Sequence, residues 1–221
     1  MTLLKLICAR KGSKRFPGKN RFILNGLPLV AHAIQHALSE GYGKDVWVST
    51  DDEEILKIAK KMKVGVIERP EHLAGDSVHI QEVARHALSV IDRDFDFTAI
   101  LYSNVFRRAR VITPCMVRLL AGDKYDSAMT AVTVGNCHPR WIFRTEGGRM
   151  IVPEKGPNRM QDIKDKYYVS DGGVLIVRTS VLMGPENESL YSFMGNNIAV
   201  VETMPYDCVD IENEHDLEIL T

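Results

Sequence analysis

"LLKLICARKGSKRFPGKN", residues 3–20, is the stretch on which the fold turns. Its first seven residues are apolar apart from Lys5. Its continuation, "ARKGSKRFPGKN" at 9–20, carries five basic side chains, two glycines and no acid. A short apolar run bounded by turn residues reads as a buried strand. A loop between a strand's carboxyl end and a helix gathers backbone N–H groups and a helix dipole that favour an anion. Gly12 and Gly18 allow close backbone approach, and Ser13 adds a small hydroxyl donor. Arg10, Lys11, Lys14, Arg15 and Lys19 together suit a polyphosphate. The loop is not a P-loop, because its G-x-x-x-x-G is followed by Lys19-Asn20 in place of Lys-Ser/Thr. It is not G-x-G-x-x-G either. A solvated basic turn is the competing reading.

Outward from this loop the pattern alternates. Pro28 opens a helix through about Glu40, with Leu29, Val30, Ala33, Ile34, Ala37 and Leu38 on one face. "DVWVST" is a strand. Thr50 and Glu53 have capping-box spacing ahead of a second helix, "ILKIAKKMK". "VGVI" is a short strand. Ser77 is placed to cap a third helix, and "FTAIL" is again a strand. Thr113-Pro114 reads as N-cap and N1 of a fourth helix, and "SAMTAVTV" as a further strand. Such β-α alternation predicts an α/β fold: a mostly parallel, Rossmann-like sheet with helices on both faces. Its ligands belong outside the carboxyl ends of the strands. The alternation lapses over about 136–170. There "WIFR" and "RMIV" flank Gly147-Gly148 as hairpin strands of an excursion, and as apolar edges they predict a homodimer contact. "GGVLIV" and "NIAVVET" resume the sheet, and a last helix begins near Asn213. One domain over 1–221 is expected.

Composition narrows the class. The chain has 28 Lys+Arg against 29 Asp+Glu, a net charge of −1, so it is not a general nucleic-acid binder. Four separated cysteines, with no C-x-x-C pair, read as reduced thiols of a cytoplasmic protein. No apolar stretch has signal-peptide or membrane-spanning character. Asp210 and Glu212, spaced i, i+2, share one face of an extended segment. Beside phosphates such a pair suits Mg²⁺, although a pair of surface acids would have the same spacing. Asp51 and Asp52 stand at a helix start and read as capping residues.

The basic loop resembles the A-R-x-G-S-K-x-x-x-x-K-N signature of the acylneuraminate cytidylyltransferase (CMP-sialic acid synthetase) family. Five further blocks follow in the family's order: "STDDEEI", "RPEHLAGDS", "HPRW", "MQDI" with "DGGV", and "DIENEHDL". The resemblance implies transfer of CMP from CTP to an acidic sugar, with pyrophosphate released and Mg²⁺ as cofactor. It implies that Arg10 and Lys19 hold the triphosphate and that Asn20 meets the nucleotide. Ala9, Gly12, Ser13, Arg69 and Ser77 would surround the rest of the nucleotide. Arg10, Lys19 and Asp210 would carry the catalysis, and Asp210 and Glu212 would hold the metal. The family usually reads D-I-D where this chain reads D-I-E.

On the acceptor side the resemblance points to Tyr102, Asn104, Arg108, His138, Trp141, Arg159, Gln161 and Asp171. Here the chain departs from the pattern. "LYSNVFRR" at 101–108 stands where many sialic-acid enzymes read L-Q-P-T-S-P-L-R. Met160 and Val169 stand where Arg is common. These changes extend the acceptor class to legionaminic, pseudaminic and other nonulosonic acids, with Kdo as an alternative. Kdo enzymes, however, typically read P-G-K-P where this chain has P-G-K-N. Two other readings remain at this level: a sugar nucleotidyltransferase using another base, and an inactive nucleotide-sugar-binding homologue.

Overall fold

The computed structural model describes residues 1–122, 124–152, 159, 165–185 and 191–220. The chain opens with β1 (Leu3–Cys8), the hairpin β2 (Ile23–Leu24) and β3 (Leu27–Pro28), and α1 (Leu29–Ser39). There follow β4 (Val46–Thr50), α2 (Glu53–Lys61), β5 (Gly65–Glu68), α3 (Ile80–Ile91), β6 (Phe97–Tyr102), β7 (Val105–Arg107) and α4 (Ile112–Leu120). Then come β8 (Ser127–Thr133), β9 (Arg144–Glu146), β10 (Arg149–Ile151), β11 (Tyr168–Arg178), α5 (Thr179–Leu182), β12 (Ile198–Glu202) and β13 (Cys208–Asp210).

Among the described residues the main sheet has seven strands in the order β12-β8-β11-β6-β1-β4-β5. Neighbours pair in parallel except around β11, which runs antiparallel to both β6 and β8. The reason is local. A parallel return needs a crossover that carries the chain back to the opposite end of the strands. The excursion instead leaves the carboxyl end of β8 and re-enters beside it, with Tyr168 opposite Thr133. Within it, β9 and β10 pair around Gly147 and Gly148, as the sequence predicts. "WIFR" is not a strand throughout: Pro139–Trp141 form a 3-10 turn, and pairing starts only at Arg144. Among the described residues no helix is long and apolar enough to cross a membrane.

The alternation along β1 builds the core. Leu3 and Ile7 pack with α1, α2 and α4 on one face, and Leu4 and Leu6 pack with α3 on the other. Lys5 is fully buried within this run. Its ammonium donates to the carbonyls of Ala37 (2.8 Å), Glu40 (2.8 Å) and Gly43 (3.0 Å), closing the carboxyl end of α1. The Glu40 carboxylate in turn accepts from the N–H groups of Val111 (2.5 Å), Ile112 (2.9 Å) and Thr113 (2.9 Å). The cap of α4 is therefore Glu40, and Thr113-Pro114 lie inside its first turn. Of the residues read at the start of α2, Asp52 is the cap, as the sequence predicts, accepting from Glu54 N at 2.9 Å, whereas Thr50 is not. One other cap shifts as well. His79, in place of Ser77, precedes α3, and Glu82 accepts its N–H at 3.2 Å.

Burial alone would raise the Glu40 carboxyl, but hydrogen bonds from His36, Thr113 and Ile112 hold it well below the usual carboxylate range. A depressed carboxyl stabilises the fold above its unfolded pKa, about 4.3 for Glu. That stabilisation is lost as pH falls below this value toward the folded pKa. Glu40→Gln is therefore expected to cost roughly 3–5 kcal/mol at neutral pH, the scale for breaking a buried charged network. Urea unfolding at stepped pH should show the gap to wild type narrowing below about pH 4. A gap independent of pH would mean that shape, not charge, makes the cap.

Candidate active site

A cavity of about 610 Å³ opens at the carboxyl ends of β1, β5 and β6, lined there by Cys8, Arg69 and Tyr102. Cys8 and Tyr102 form its floor, the basic loop one wall, and Leu73, Val78, Ile80 and Val83 an apolar wall opposite. Burial pushes the Cys8 thiol up to about 11, and it also raises the Tyr102 hydroxyl above its ordinary range. The floor is therefore neutral. Arg69 is buried at this end, donating from Nη2 to Ser49 O at 2.8 Å and from Nε to Ser49 Oγ at 3.2 Å. An apolar slot joined to a cationic wall accepts a planar base at one end and phosphates at the other.

The loop is pinned from both sides. Its Lys11 N–H donates to Asp51 Oδ1 at 2.7 Å. Asn20 is buried, with Nδ2 donating to Arg10 O at 2.8 Å and Oδ1 accepting from Ser103 Oγ at 2.8 Å. Gly18, at φ 73°, turns the chain into the 3-10 turn Lys19–Arg21. This turn leaves Lys19 with an ammonium mostly sheltered from solvent and facing the cavity.

Four loop cations meet two carboxylates here. Asp76 pairs with Arg10 and, at 2.6 Å, with Lys14. Hydrogen bonds from Lys14 and Arg10 hold its carboxyl down at about 2. Glu212 pairs with Arg15 at 2.6 Å and Lys19 at 2.9 Å. The acids reach this place through a ladder remote in sequence, β7 against β13, with Val105 opposite Asp210. Asp216 then accepts the N–H groups of Glu212 (2.7 Å) and Asn213 (2.9 Å), turning the chain into the 3-10 segment Glu214–Leu220. Asp210 and Glu212 converge on the Asn104 amide, at 2.5 and 3.2 Å. The Asp210 carboxyl is raised by burial first and by the Glu212 charge second, against the pull of Lys19. Two crowded carboxylates of this kind fit a hard divalent cation that takes its remaining oxygens from phosphates and water.

The structure thus brings Arg10, Ser13, Lys19, Asn20, Arg69, Tyr102, Asn104 and Glu212 to one cavity, with Asp210 bonded at its rim. Ala9 lies buried beneath, its N–H donating to Ser49 O at 3.1 Å. Gly12 and Ser77 are exposed beside the cavity and do not line it. Other expected acceptor residues lie elsewhere. Arg108 donates to Ile219 O at 2.9 Å. The Asp171 carboxylate accepts from Thr130 Oγ1 and Thr203 Oγ1, both at 2.6 Å, and braces the irregular part of β11. His138 is 4 % exposed and packs edge-on against Trp141 and Tyr167. Its Nδ1 accepts from Arg140 N, so Nε2–H faces Asp165 O. His138, Asp165 and Tyr167 line a separate cavity of about 210 Å³, which Trp141 does not reach. Arg159 is exposed and lines neither cavity, while Met160, Gln161 and Asp162 lie outside the described residues.

Asp76 and the apolar wall do not stand out in the sequence, although "RPEHLAGDS" and the apolar face of α3 contain them. Arg107 does not stand out either. It is buried, with all three guanidinium nitrogens donating to backbone carbonyls of Tyr102, Val105, Gly172 and Gly173. It ties the end of β6 to the bulged part of β11.

A family model described as cytidylyltransferase matches residues 4–139. A CMP-N,N'-diacetyllegionaminic acid synthase of Legionella pneumophila is 29 % identical over 204 residues, 87 % of this chain and 84 % of that protein. An N-acylneuraminate cytidylyltransferase of Streptococcus agalactiae is 30 % identical over 183 residues, 78 % of this chain but only 43 % of that longer protein. Among solved structures, a CMP:2-keto-3-deoxy-manno-octonic acid synthetase complexed with CTP superposes with a TM-score of 0.74. It is 19 % identical, and the match covers 100 % of this chain and 97 % of that one, so it speaks to the fold.

Proposed function

We propose that this chain, which belongs to the cytidylyltransferase family, transfers CMP from CTP to the anomeric hydroxyl of a nonulosonic acid and releases pyrophosphate. The observation that carries this reading is the single cavity in which an apolar slot, a row of loop cations and a facing acid pair meet. The acceptor oxygen bonds to the α-phosphorus, the bond from that phosphorus to the oxygen bridging the β-phosphate breaks so that pyrophosphate leaves with the electron pair, and the proton of the acceptor hydroxyl passes to solvent. The chain's part is orientation and charge neutralisation. Arg10 and Lys19 exchange Asp76 and Glu212 for triphosphate oxygens, and Ser13, on the cavity wall, offers its hydroxyl to the same anion. Arg69 and the wall of Leu73 to Val83 receive the base above the buried Ala9, and Asn20 keeps the loop in shape. Asp210 and Glu212 would hold Mg²⁺, which when bound neutralises phosphate charge and steadies the reacting group.

The acceptor class rests on the named relatives, which act on legionaminic and acylneuraminic acids. Tyr102 lies on the cavity floor, where an acceptor would approach the nucleotide. Pyrophosphate release from CTP, UTP, ATP and GTP, each against a panel of legionaminic, pseudaminic and N-acetylneuraminic acids and Kdo, tests the reading. Release with CTP and a nine-carbon acid is expected. Release only with Kdo, only with another nucleotide, or with none would each overturn it.

We further place the protein in the cytoplasm as a homodimer. Its four cysteines are free, which suits a reducing compartment. Ile142, Phe143, Met150 and Val152 are exposed around the β9–β10 hairpin, an apolar patch that association would cover. Light scattering at micromolar concentration is expected to give twice the 24.9 kDa chain mass. A clean monomer would remove the dimer from this account.

A further inference from the structure

Asn104 has a place that neither its expected acceptor role nor the fold accounts for. It stands between β6 and β7, on the cavity wall. Its backbone carbonyl accepts from Ile211 N at 3.0 Å. Its Nδ2 lies 2.5 Å from Asp210 Oδ1, 3.4 Å from Ile211 O and 3.2 Å from Glu212 Oε1. One side-chain nitrogen therefore reaches both members of the acid pair. Lys19 Nζ meets the same Glu212 Oε1 at 2.9 Å, and Arg15 meets Oε2 at 2.6 Å.

We propose that Asn104 is a positioning residue for the acid pair, fixing the separation and aim of the Asp210 and Glu212 carboxylates toward a divalent cation, and that it does not itself recognise the nucleotide. The inference rests on the metal-holding role proposed for those two acids. The physical ground is specific to a primary amide. Two nearby carboxylates repel, and their side chains turn apart unless something donates to both. A carboxamide has two N–H donors and no charge, so it can bridge the pair without competing as a cation would. A hydroxyl has one hydrogen and can hold only one carboxylate at a time. Groups that orient ligating carboxylates typically matter about 10–100-fold in metal affinity.

A second observation points the same way. In the pattern that this chain resembles, Thr is common where this chain has Asn104 and Asp is usual where it has Glu212. This chain departs at both. A longer acid and a two-hydrogen donor meet across 3.2 Å, so the two departures fit each other.

The test uses the full chain with Mn²⁺ as a paramagnetic probe and CTP as the nucleotide. Free Mn²⁺ is counted by electron paramagnetic resonance, and CTP binding without metal is measured by calorimetry. Asn104→Leu is expected to weaken Mn²⁺ binding in the presence of CTP by at least about tenfold. Metal-free CTP affinity should stay within about twofold, and the melting temperature should stay near wild type. Asn104→Thr should lose part of the Mn²⁺ affinity, and adding Glu212→Asp to it should restore much of that loss. A merely structural role predicts no such rescue. A folded Asn104→Leu with wild-type Mn²⁺ affinity overturns the proposal, and so does a parallel loss of metal-free CTP binding. Should Asn104→Leu fail to fold, Asn104→Thr with and without Glu212→Asp decides: rescue supports the proposal, and its absence overturns it. Wild-type protein that binds CTP but no Mn²⁺ overturns the metal role of the acids and this inference with it. Wild-type protein that binds no CTP overturns the proposed function itself.

Discussion

Lys19→Ala is expected to lower turnover at saturating CTP by at least about a hundredfold, the scale for losing one preorganised donor to a reacting centre. Lys19 differs from its neighbours in the loop. Its side chain is 11 % exposed, whereas that of Lys14 is 86 % exposed. A sheltered ammonium acts in a medium of lower dielectric, where its charge counts for more. It is also fixed in advance. The turn after Gly18 aims it into the cavity, and Glu212 holds Nζ at 2.9 Å. Charge that needs no reorganisation is the kind that favours a transition state over a ground state. Lys14 is an exposed surface cation paired with Asp76, so Lys14→Ala should change KM for CTP more than kcat. Steady-state kinetics on both variants, with melting temperatures to show that each is folded, separates the two roles. A folded Lys19→Ala with near-normal kcat would remove Lys19 from the chemistry and leave it as a partner of Glu212.

The parts of the molecule legible in the sequence are those written locally. The apolar run 3–9, the glycines at 12 and 18 and the helical spacing of 29–38 each depend on neighbours in the chain, and β1, the loop and α1 stand where that spacing puts them. Asp210 and Glu212 are legible for the same reason, since i, i+2 spacing puts both on one face. What stays hidden is distant in sequence. Glu40 caps α4 from 71 residues away, so the local Thr113-Pro114 signal loses to a carboxylate that no window around it contains. Arg107 and Arg108 show the limit most sharply. Adjacent residues in a strand face opposite sides. The resemblance favours Arg108, but Arg108 turns outward to Ile219, and Arg107 turns inward to the carbonyls of β6 and β11. Only the pairing of β7 with β13 decides which arginine is inside. Asp76 is hidden differently: within a motif, one acid among small residues carries no periodicity, and its meaning comes from the two cations opposite.

Asp210→Asn is expected to lower turnover strongly and to raise the Mg²⁺ concentration needed for half-maximal rate. The geometry gives the two acids unequal tasks. Glu212 is already committed to Arg15 and Lys19, and through its backbone to Asp216. Asp210 meets only the neutral Asn104 amide among the bonds drawn to its carboxylate in the described residues. Its charge is therefore the less compensated of the two and the more available to a cation. Asparagine keeps the size and the Asn104 contact through its oxygen but removes that charge, so the effect reports charge and not shape. Glu212→Asp should be mild, because it keeps the carboxylate and shortens the side chain to the length common in the family pattern. Glu212→Gln should fall between. It removes one negative charge from the pair, but it also releases Lys19 and Arg15, and both freed cations can turn to the triphosphate. The two consequences oppose each other, which is why the loss should stay smaller than at Asp210. Mg²⁺ titrations of rate for the three variants test this order. If Asp210→Asn keeps the wild-type metal profile and rate, the acids serve only as counter-ions to the basic loop, and the metal must be held by the nucleotide's own oxygens.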